Sequence, residues 1–434
     1  MRAFALAAGE PVASDARAVW RDWHSRGGEL EALQAPGVLD AALADRPVII
    51  DGLFGIGLKR PLEGVAATVV LALNRANADV IAVDVPSGLD ADTGAVVGGA
   101  NGVAVRARLT VTMIADKPGL HTAAALDHAG HVQVAALGRA SAMPPVWPDP
   151  DGTLLREPEA LALRPSRARD SNKGSFGSVL VMGGAQGTQG AALLAARGAQ
   201  AVGAGKVFVC SPDGRVFDPG QPHLMTRAAD APLDGIDAIC VGCGLGRAQG
   251  ATALLSAALR SDRALVIDAD ALNLLAEESA FARRLAARTA PAVLTPHPLE
   301  AARLLGISAR QVQADRIGHA CALAARLRAT VVLKGAGTVI ASPQGAWSII
   351  DSGGPALATA GTGDVLAGMV AAFLAQGASP SDAARLGAWL HGRAGDLWQR
   401  QHPFGAGLSA SLLPAHVVDA INTSDSAASG GDQP

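Results

Sequence analysis

The sequence predicts an α/β protein of two domains, each a mostly parallel sheet covered by helices. Three observations carry that expectation. Short Val- and Ile-rich runs alternate with longer helix-like runs, the order that builds βαβ units. The glycine-bearing and polar turns follow the strand-like runs, where ligand sites of open α/β sheets lie. The chain has 434 residues, too many for one core, and its 49% hydrophobic and 17% charged residues are those of a globular protein.

Taken in order, "RAFALAAGE" reads as a first strand. "RPVIIDGLFGIG" reads as a buried strand ending in a glycine loop. "PLEGVAATVVLALNRAN" reads as a helix with Pro61 near its start. "DVIAVDVPSGLD" is strand then loop, and "RARLTVTMIAD" and "GHVQVAALG" are two more strands. These make a domain over residues 1–139. Residues 140–152, "ASAMPPVWPDPDG", are proline-rich and aperiodic and read as a linker. A second domain is expected over 153–422, then a small, polar tail over 423–434 that reads as disordered.

In the second domain, "SVLVMGG" is a strand and "GAALLAARGAQAVGAG" a helix whose small residues suggest close packing. "KVFVCSP", "DAICVGCGLG", "ALVIDADALN", "AVLTPHPLE" and "TVVLKGAGTVIAS" each set a strand before a polar or glycine turn. The turn "LATAGTGD" precedes helix "VLAGMVAAFLAQG", and helix "DAARLGAWLHGRAGDLWQR" follows.

Composition excludes several function classes. A formal net charge of −3 gives no broad basic field for nucleic acid or anionic membrane. No apolar run reaches the roughly 18 residues a membrane helix needs. The first residues faintly resemble a signal peptide, but the apolar stretch is short and poorly flanked, so the cytoplasm is expected. Four cysteines are too few for a disulfide framework. Cys240 and Cys243 form a CxxC with no second ligand pair, which reads as small buried side chains at a strand end. The expected partners are a small-molecule substrate and further copies of the chain.

The chemistry concentrates in "GTGD", Gly361 to Asp364. Glycines let backbone N–H groups approach an anion, and a helix starting just after adds its partial positive charge. A carboxylate there makes sense if it takes a proton from a hydroxyl that attacks a phosphoryl group; the plain alternative is a helix cap. "KGAGT" could hold a nucleotide through Lys334, Gly335, Ala336, Gly337 and Thr338, although glycine hairpins are ordinary. "GAGKV" is not a Walker A: Gln200 replaces its first glycine and Val207 its Ser/Thr. "GCGLG" lacks the spacing of a dinucleotide fingerprint. His297 stands between two prolines that limit backbone motion. Asp268 and Asp270, with Asn273 one turn on, would suit Mg²⁺; equally, Asp270 could be a helix N-cap.

Six ordered motifs, from "GSVLVMGGAQGTQGAALLAARGAQAVGAG" through "GCGLG", "IDADALN", "TPHPLEAARLLG" and "VVLKGAGTVIA" to "ALATAGTGDVLAG", resemble the ADP- or ATP-dependent NAD(P)H-hydrate dehydratases. The resemblance covers about residues 165–422. It implies a ribokinase-like three-layer α/β/α fold. It implies dehydration of the S epimer of hydrated NADH or NADPH, with ADP or ATP phosphorylating the ring hydroxyl before phosphate leaves. It also implies roles: Asp364 contacts the hydrate and acts as base; Gly363 and the 334–338 turn hold the nucleotide; Ala191, Gly246 and His297 line the hydrate site. Gly354 stands where many relatives carry asparagine.

"DGLFGIGLKRP", "VDVPSGLD" and "ADKPGL" resemble the NAD(P)H-hydrate epimerases, a Rossmann-like domain. That resemblance implies a potassium ion bound by Asp51 and Ser87. It also implies hydrate contacts from Asp84 and from Gly55, Ile56, Gly57, Leu58, Lys59, Arg60 and Pro61. Physically, carboxylate and hydroxyl oxygens suit an alkali cation, Asp84 could move a proton, and each motif could also be a plain turn. The helices, first strand and "GNNGGDG"-type loop with which those domains begin are not found before Asp51. The epimerase-like domain is therefore expected to be incomplete, by a late start codon or by decay, with exposed sheet edges and doubtful epimerisation. Two other functions fit the residues: a small-molecule kinase on the same fold, and an N-terminal half that serves only assembly.

Overall fold

The computed structural model describes residues 2–423 apart from 7–8, 34–35, 45–46, 77 and 137–148. The chain forms two compact units, residues 1–148 and 149–434. The expected linker falls mostly, and the expected tail almost wholly, outside the described residues.

In the first unit, β1 (Phe4–Ala5) pairs with β2 (Glu31–Ala32), and helix α1 (Ser14–Ser25) lies between them in sequence. Helix α2 (Pro36–Leu43) follows. A separate parallel sheet has the order β3-β4-β5-β6, formed by Val48–Asp51, Asp79–Val83, Leu109–Met113 and His131–Ala135, with helix α3 (Gly64–Ala76) after β3. Three expectations are corrected here. "RAFALAAGE" supplies only a two-residue strand, outside the main sheet. β3 is not buried: as an edge strand it leaves Val48 61% and Ile50 67% exposed. Pro61 lies before α3 rather than at its first turn, because the chain turns again at Gly64, whose φ is +56°.

The second unit holds one sheet of ten strands among the described residues. In chain order these are β7 (Thr153–Leu155), β8 (Ser178–Met182), β9 (Lys206–Cys210), β10 (Met225–Thr226), β11 (Ala238–Val241), β12 (Ala264–Ile267), β13 (Ala292–Leu294), β14 (Thr330–Leu333), β15 (Val339–Ala341) and β16 (Trp347–Ile350). The spatial order is β10-β9-β8-β11-β12-β13-β14-β15-β16-β7. The strands from β10 to β14 run parallel, and β15 pairs antiparallel with both its neighbours. β8, β11 and β14 are buried at every position, as near-continuous apolar runs between two helical layers must be.

The helices are α4 (Glu157–Ala162), α5 (Gln189–Ala201), α6 (Gln249–Arg260), α7 (Ala269–Glu277), α8 (Ser279–Ala286), α9 (Pro298–Leu305), α10 (Ala309–Ala314), α11 (Arg316–Leu327), α12 (Thr362–Ala375), α13 (Pro380–Gln401) and α14 (Leu413–Ile421). Two apolar cores result. One gathers α5, α12 and α13 on one face of the sheet; the other gathers α6 to α9 and α11 on the opposite face. α12 is buried on nearly all sides, so its sequence shows no polar stripe. It meets α5 at almost backbone contact. A Cβ on Gly368 would lie 1.8 Å from the Ala195 carbonyl, and one on Gly198 would lie 2.2 Å from that of Val365. The small residues of α5 are there for this approach, as their sequence suggested.

Candidate functional site

Turns follow the carboxyl ends of adjacent parallel strands β8, β11, β12, β13 and β14, and Cys243, Asp268 and Lys334 from three of them face the first turn of α12. Hydrogen bonds tie the turns together. Gly184 N–H donates to the Cys243 carbonyl at 3.0 Å and Ala185 N–H to that of Gly244 at 2.7 Å. Gly246 N–H donates to Asp270 Oδ2 at 2.8 Å. Lys334 N–H donates to the Pro296 carbonyl at 2.9 Å, which sets the 334–338 turn against the proline-flanked loop. Asp270 is thus not the N-cap of α7. Asp268 occupies that position, and Asp270 anchors the glycine loop from inside the first turn.

Asp364 sits in the first turn of α12, behind Gly361 at φ +93°. The helix begins at Thr362 and not after Asp364 as expected. Thr362 fixes this start: its hydroxyl donates to the Leu357 and Thr359 carbonyls, both at 2.9 Å. His391 bonds the Thr362 carbonyl at 2.9 Å, and burial lowers its pKa to about 4, so it holds the turn as a neutral ring. Burial, with repulsion from Asp268, pushes the Asp364 pKa up to about 6. Ligating atoms of Asp364, Asp268 and Cys243 lie within 4.8 Å of one another.

Lys334 Nζ makes an ion pair with Asp268 Oδ1 at 2.8 Å. Burial alone would lower the ammonium's pKa, but Asp268 and Glu300 more than offset this and hold it above the usual value. A Cβ on Gly363 would come within 3.1 Å of Nζ, so the Lys334 turn and the α12 terminus share one site.

His297 is the N-cap of α9. Its Nδ1 accepts from the Leu299 and Glu300 N–H groups at 3.1 and 3.3 Å, and Glu300 Oε2 accepts from His297 N–H at 2.8 Å. Burial and nearby Lys334 lower the His297 pKa, so the ring is neutral, and its Nε2 lies 3.4 Å from Glu300 Oε1. Burial raises the Glu300 pKa to about 7. Ala191 lies in the first turn of α5, beside the Gly244–Gly246 loop: a Cβ on Gly244 would stand 3.0 Å from that of Ala191.

Sequence reasoning missed several of these parts. Cys243 reads as half of a CxxC. Both thiols are fully buried with sulfurs 4.0 Å apart, Cys240 and burial raise the Cys243 pKa, and Cys243 is a wall of the Asp364 site. The H-x-x-E capping box was visible as a spacing. The Lys334–Asp268 pairing spans 66 residues and left no local signal.

In the first unit, Asp51 and Ser87 come together. Asp51 Oδ1 accepts from the Ser87 hydroxyl at 2.7 Å and Oδ2 from Ser87 N–H at 2.8 Å. Asp84 has φ +69°, a conformation that Asp tolerates better than most residues. It pairs with Lys117 Nζ at 2.6 Å and accepts Met113 N–H at 2.9 Å; against burial, these contacts hold its carboxyl below the usual range. In the 55–61 loop, Lys59 is engaged by Asp90 at 3.0 Å, and Ile56 is exposed. Asp51 ends β3 and Asp84 follows β4, adjacent parallel strands, so both stand at the carboxyl end of the sheet.

Two family models match the chain. One, described as NAD(P)H-hydrate dehydratase, matches residues 179–417. The other, described as YjeF-related protein N-terminus, matches residues 1–119. The bifunctional NAD(P)H-hydrate repair enzyme of Coxiella burnetii is 39% identical over 86% of this chain and 76% of its own length. The ADP-dependent (S)-NAD(P)H-hydrate dehydratase of Neisseria meningitidis is 44% identical over 62% of this chain and 90% of its own length. Among solved structures, the ADP/ATP-dependent NAD(P)H-hydrate dehydratase of Bacillus subtilis, co-crystallised with ATP/Mg²⁺, superposes with a TM-score of 0.56. It is 31% identical over 62% of this chain and 97% of its own.

Proposed function

The chain belongs to the NAD(P)H-hydrate repair enzymes, and from that membership we propose that its second unit dehydrates the S epimer of hydrated NADH or NADPH at the expense of ADP or ATP. The observation that carries this reading is Asp364. It is a half-buried carboxylate in the first turn of a buried helix, beside the Lys334–Asp268 pair, with its pKa raised to about 6. That is a base suited to neutral pH.

Hydroxide leaves carbon poorly, and a phosphate ester leaves far more readily. Asp364 takes the proton of the ring hydroxyl. The oxygen then bonds to the terminal phosphorus and releases AMP from ADP, or ADP from ATP. The carbon–oxygen bond breaks as the ring nitrogen's electrons push out phosphate, and loss of a proton from the adjacent carbon restores the dihydronicotinamide. Lys334 and the 334–338 turn, with Gly363, hold the nucleotide. Ala191, Gly246 and the neutral His297 line the hydrate site.

The carboxylates of Asp268 and Asp364 are hard donors suited to Mg²⁺ with nucleotide oxygens and water; the Cys243 sulfur is not a ligand it favours. When bound, the cation would neutralise phosphate charge. In the first unit, the oxygens of Asp51, Ser87 and the Phe54 carbonyl lie close together and would suit K⁺, and the Asp84–Lys117 pair is the candidate for proton transfer between epimers. Among the described residues no helix is long and apolar enough to cross a membrane. We place the protein in the cytoplasm, assembled with copies of itself.

The test is to incubate the protein with the S hydrate, Mg²⁺ and ADP or ATP, and to follow the return of dihydronicotinamide absorbance. Nucleotide consumption without that return would make the chain a kinase for another alcohol. Repeating it with the R hydrate, in K⁺ and then in Na⁺, tests the first unit.

A further inference from the structure

Among the described residues, the largest fully buried side chain is a cation. Arg316, the first residue of α11, is 0% exposed. Its Nη2 donates to the carbonyls of Leu333 at 3.0 Å, Lys334 at 3.3 Å and Gly337 at 3.5 Å, and Nη1 donates to Gln313 Oε1 at 2.6 Å. Burial draws its pKa down only to about 10, so it is charged at neutral pH. The guanidinium lies directly under Gly335: a Cβ there would stand 3.0 Å from Nη1, and Gly335 has φ +135°.

A planar trans peptide points its C=O and N–H in opposite directions. Holding a carbonyl inward therefore turns the next N–H away from the holder. One case is visible directly. The Leu333 carbonyl faces Arg316, and the N–H of the same peptide, on Lys334, points away to the Pro296 carbonyl. The same constraint turns the N–H groups of Gly335 and Thr338 away from Arg316. A charged fork under a turn thus sets which way the donors of that turn face, and adds positive charge behind them.

We infer that Arg316 is a positioning residue for the nucleotide: it never touches the ligand, but orients the 334–338 turn for binding a nucleoside di- or triphosphate. This rests on the reading that the turn holds the nucleotide. A lysine at 316 would keep the charge and lose the fork.

The experiment is steady-state dehydration by the full-length protein, with nucleotide and S hydrate varied separately, for Arg316→Lys, Gln313→Leu and Ala336→Asp. Arg316→Lys is expected to raise the nucleotide KM by about tenfold or more, with the hydrate KM and kcat within about twofold. In a folded Arg316→Lys protein, an unchanged nucleotide KM overturns the inference, as does an equal rise in both KM values. If Arg316→Lys does not fold, Gln313→Leu decides. Gln313 is exposed, so its loss removes one partner of Nη1 and loosens the fork at little cost to the core, and a selective rise of about twofold to fivefold in nucleotide KM is expected. No selective rise there overturns the inference. Ala336→Asp puts a carboxylate on the exposed crown of the turn and tests the underlying reading. If it leaves nucleotide KM unchanged, the turn does not hold the nucleotide and the inference falls with it. If it raises that KM while Arg316→Lys does not, only the positioning role is lost.

Discussion

Asp364 holds a negative charge where burial and a second carboxylate oppose it. Because its pKa in the fold is raised to about 6, from an ordinary 3.8, the folded chain binds the extra proton between those values. Stability from this group is therefore greatest below pH 4 and is lost as pH rises through 6, while activity rises over the same interval. Asp364→Asn is expected to cut turnover roughly 10²–10⁴-fold. Its melting temperature at pH 8 should equal or exceed that of the parent, as calorimetry would show; retained turnover would remove the base assignment. Lys334→Met leaves Asp268 buried without its cation, which costs about 3–5 kcal/mol in urea unfolding. It also removes a positive neighbour of Asp364, so the acid limb of the pH–rate profile should move to higher pH. At this scale the sequence was legible where chemistry and turn grammar coincide, as in "GTGD" and "KGAGT". It was opaque where a partner lies far along the chain. Nothing near Asp268 announces Lys334, and nothing near Arg316 announces the turn that it holds.

The α5–α12 pair shows what elements add. Asp364 has its position because α12 lies against α5 at the distance that Gly198 and Gly368 permit. Gly368→Val should cost about 1–3 kcal/mol or more by overpacking, read by chemical denaturation. It should also reduce turnover beyond what the lost stability explains, since the first turn of α12 must shift. The small residues of α5 made this packing readable. The start of α12 was misread because "GTGD" looks like a loop until the Thr362 hydroxyl bonds and the His391 contact are known. β3 was misread for another reason. Three consecutive β-branched residues resemble a central strand, but burial depends on which strands lie beside it, and β3 stands at an edge among the described residues.

At the scale of the whole molecule, the two units have separate sheets and separate cores. The chemistry proposed for the second draws on its own residues alone. A chain of residues 149–434 is expected to keep S-hydrate dehydration within about threefold of the full protein's kcat, and to lose any turnover of the R form. The Neisseria relative, which aligns with only 62% of this chain and is described as a dehydratase, fits that expectation. Collapse of activity in the shortened protein would mean that the first unit contributes to the dehydratase site. The alternation of strand and helix made the fold class of both units legible, because periodicity is local; the order of the ten strands was not, because it is set by which faces close over one another.

The close approach of α5 and α12 at Gly198 and Gly368 also bears on engineering. Two backbones in contact cannot be varied one at a time: a side chain on either helix has nowhere to go unless the other helix moves, and with it Asp364, the proposed base. A mutant library aimed at a new nucleotide preference would waste most of its members on α5 and α12. Diversity placed on the crown of the 334–338 turn, with Arg316 and both glycines fixed, would sample the proposed nucleotide contacts while leaving Asp364 in register.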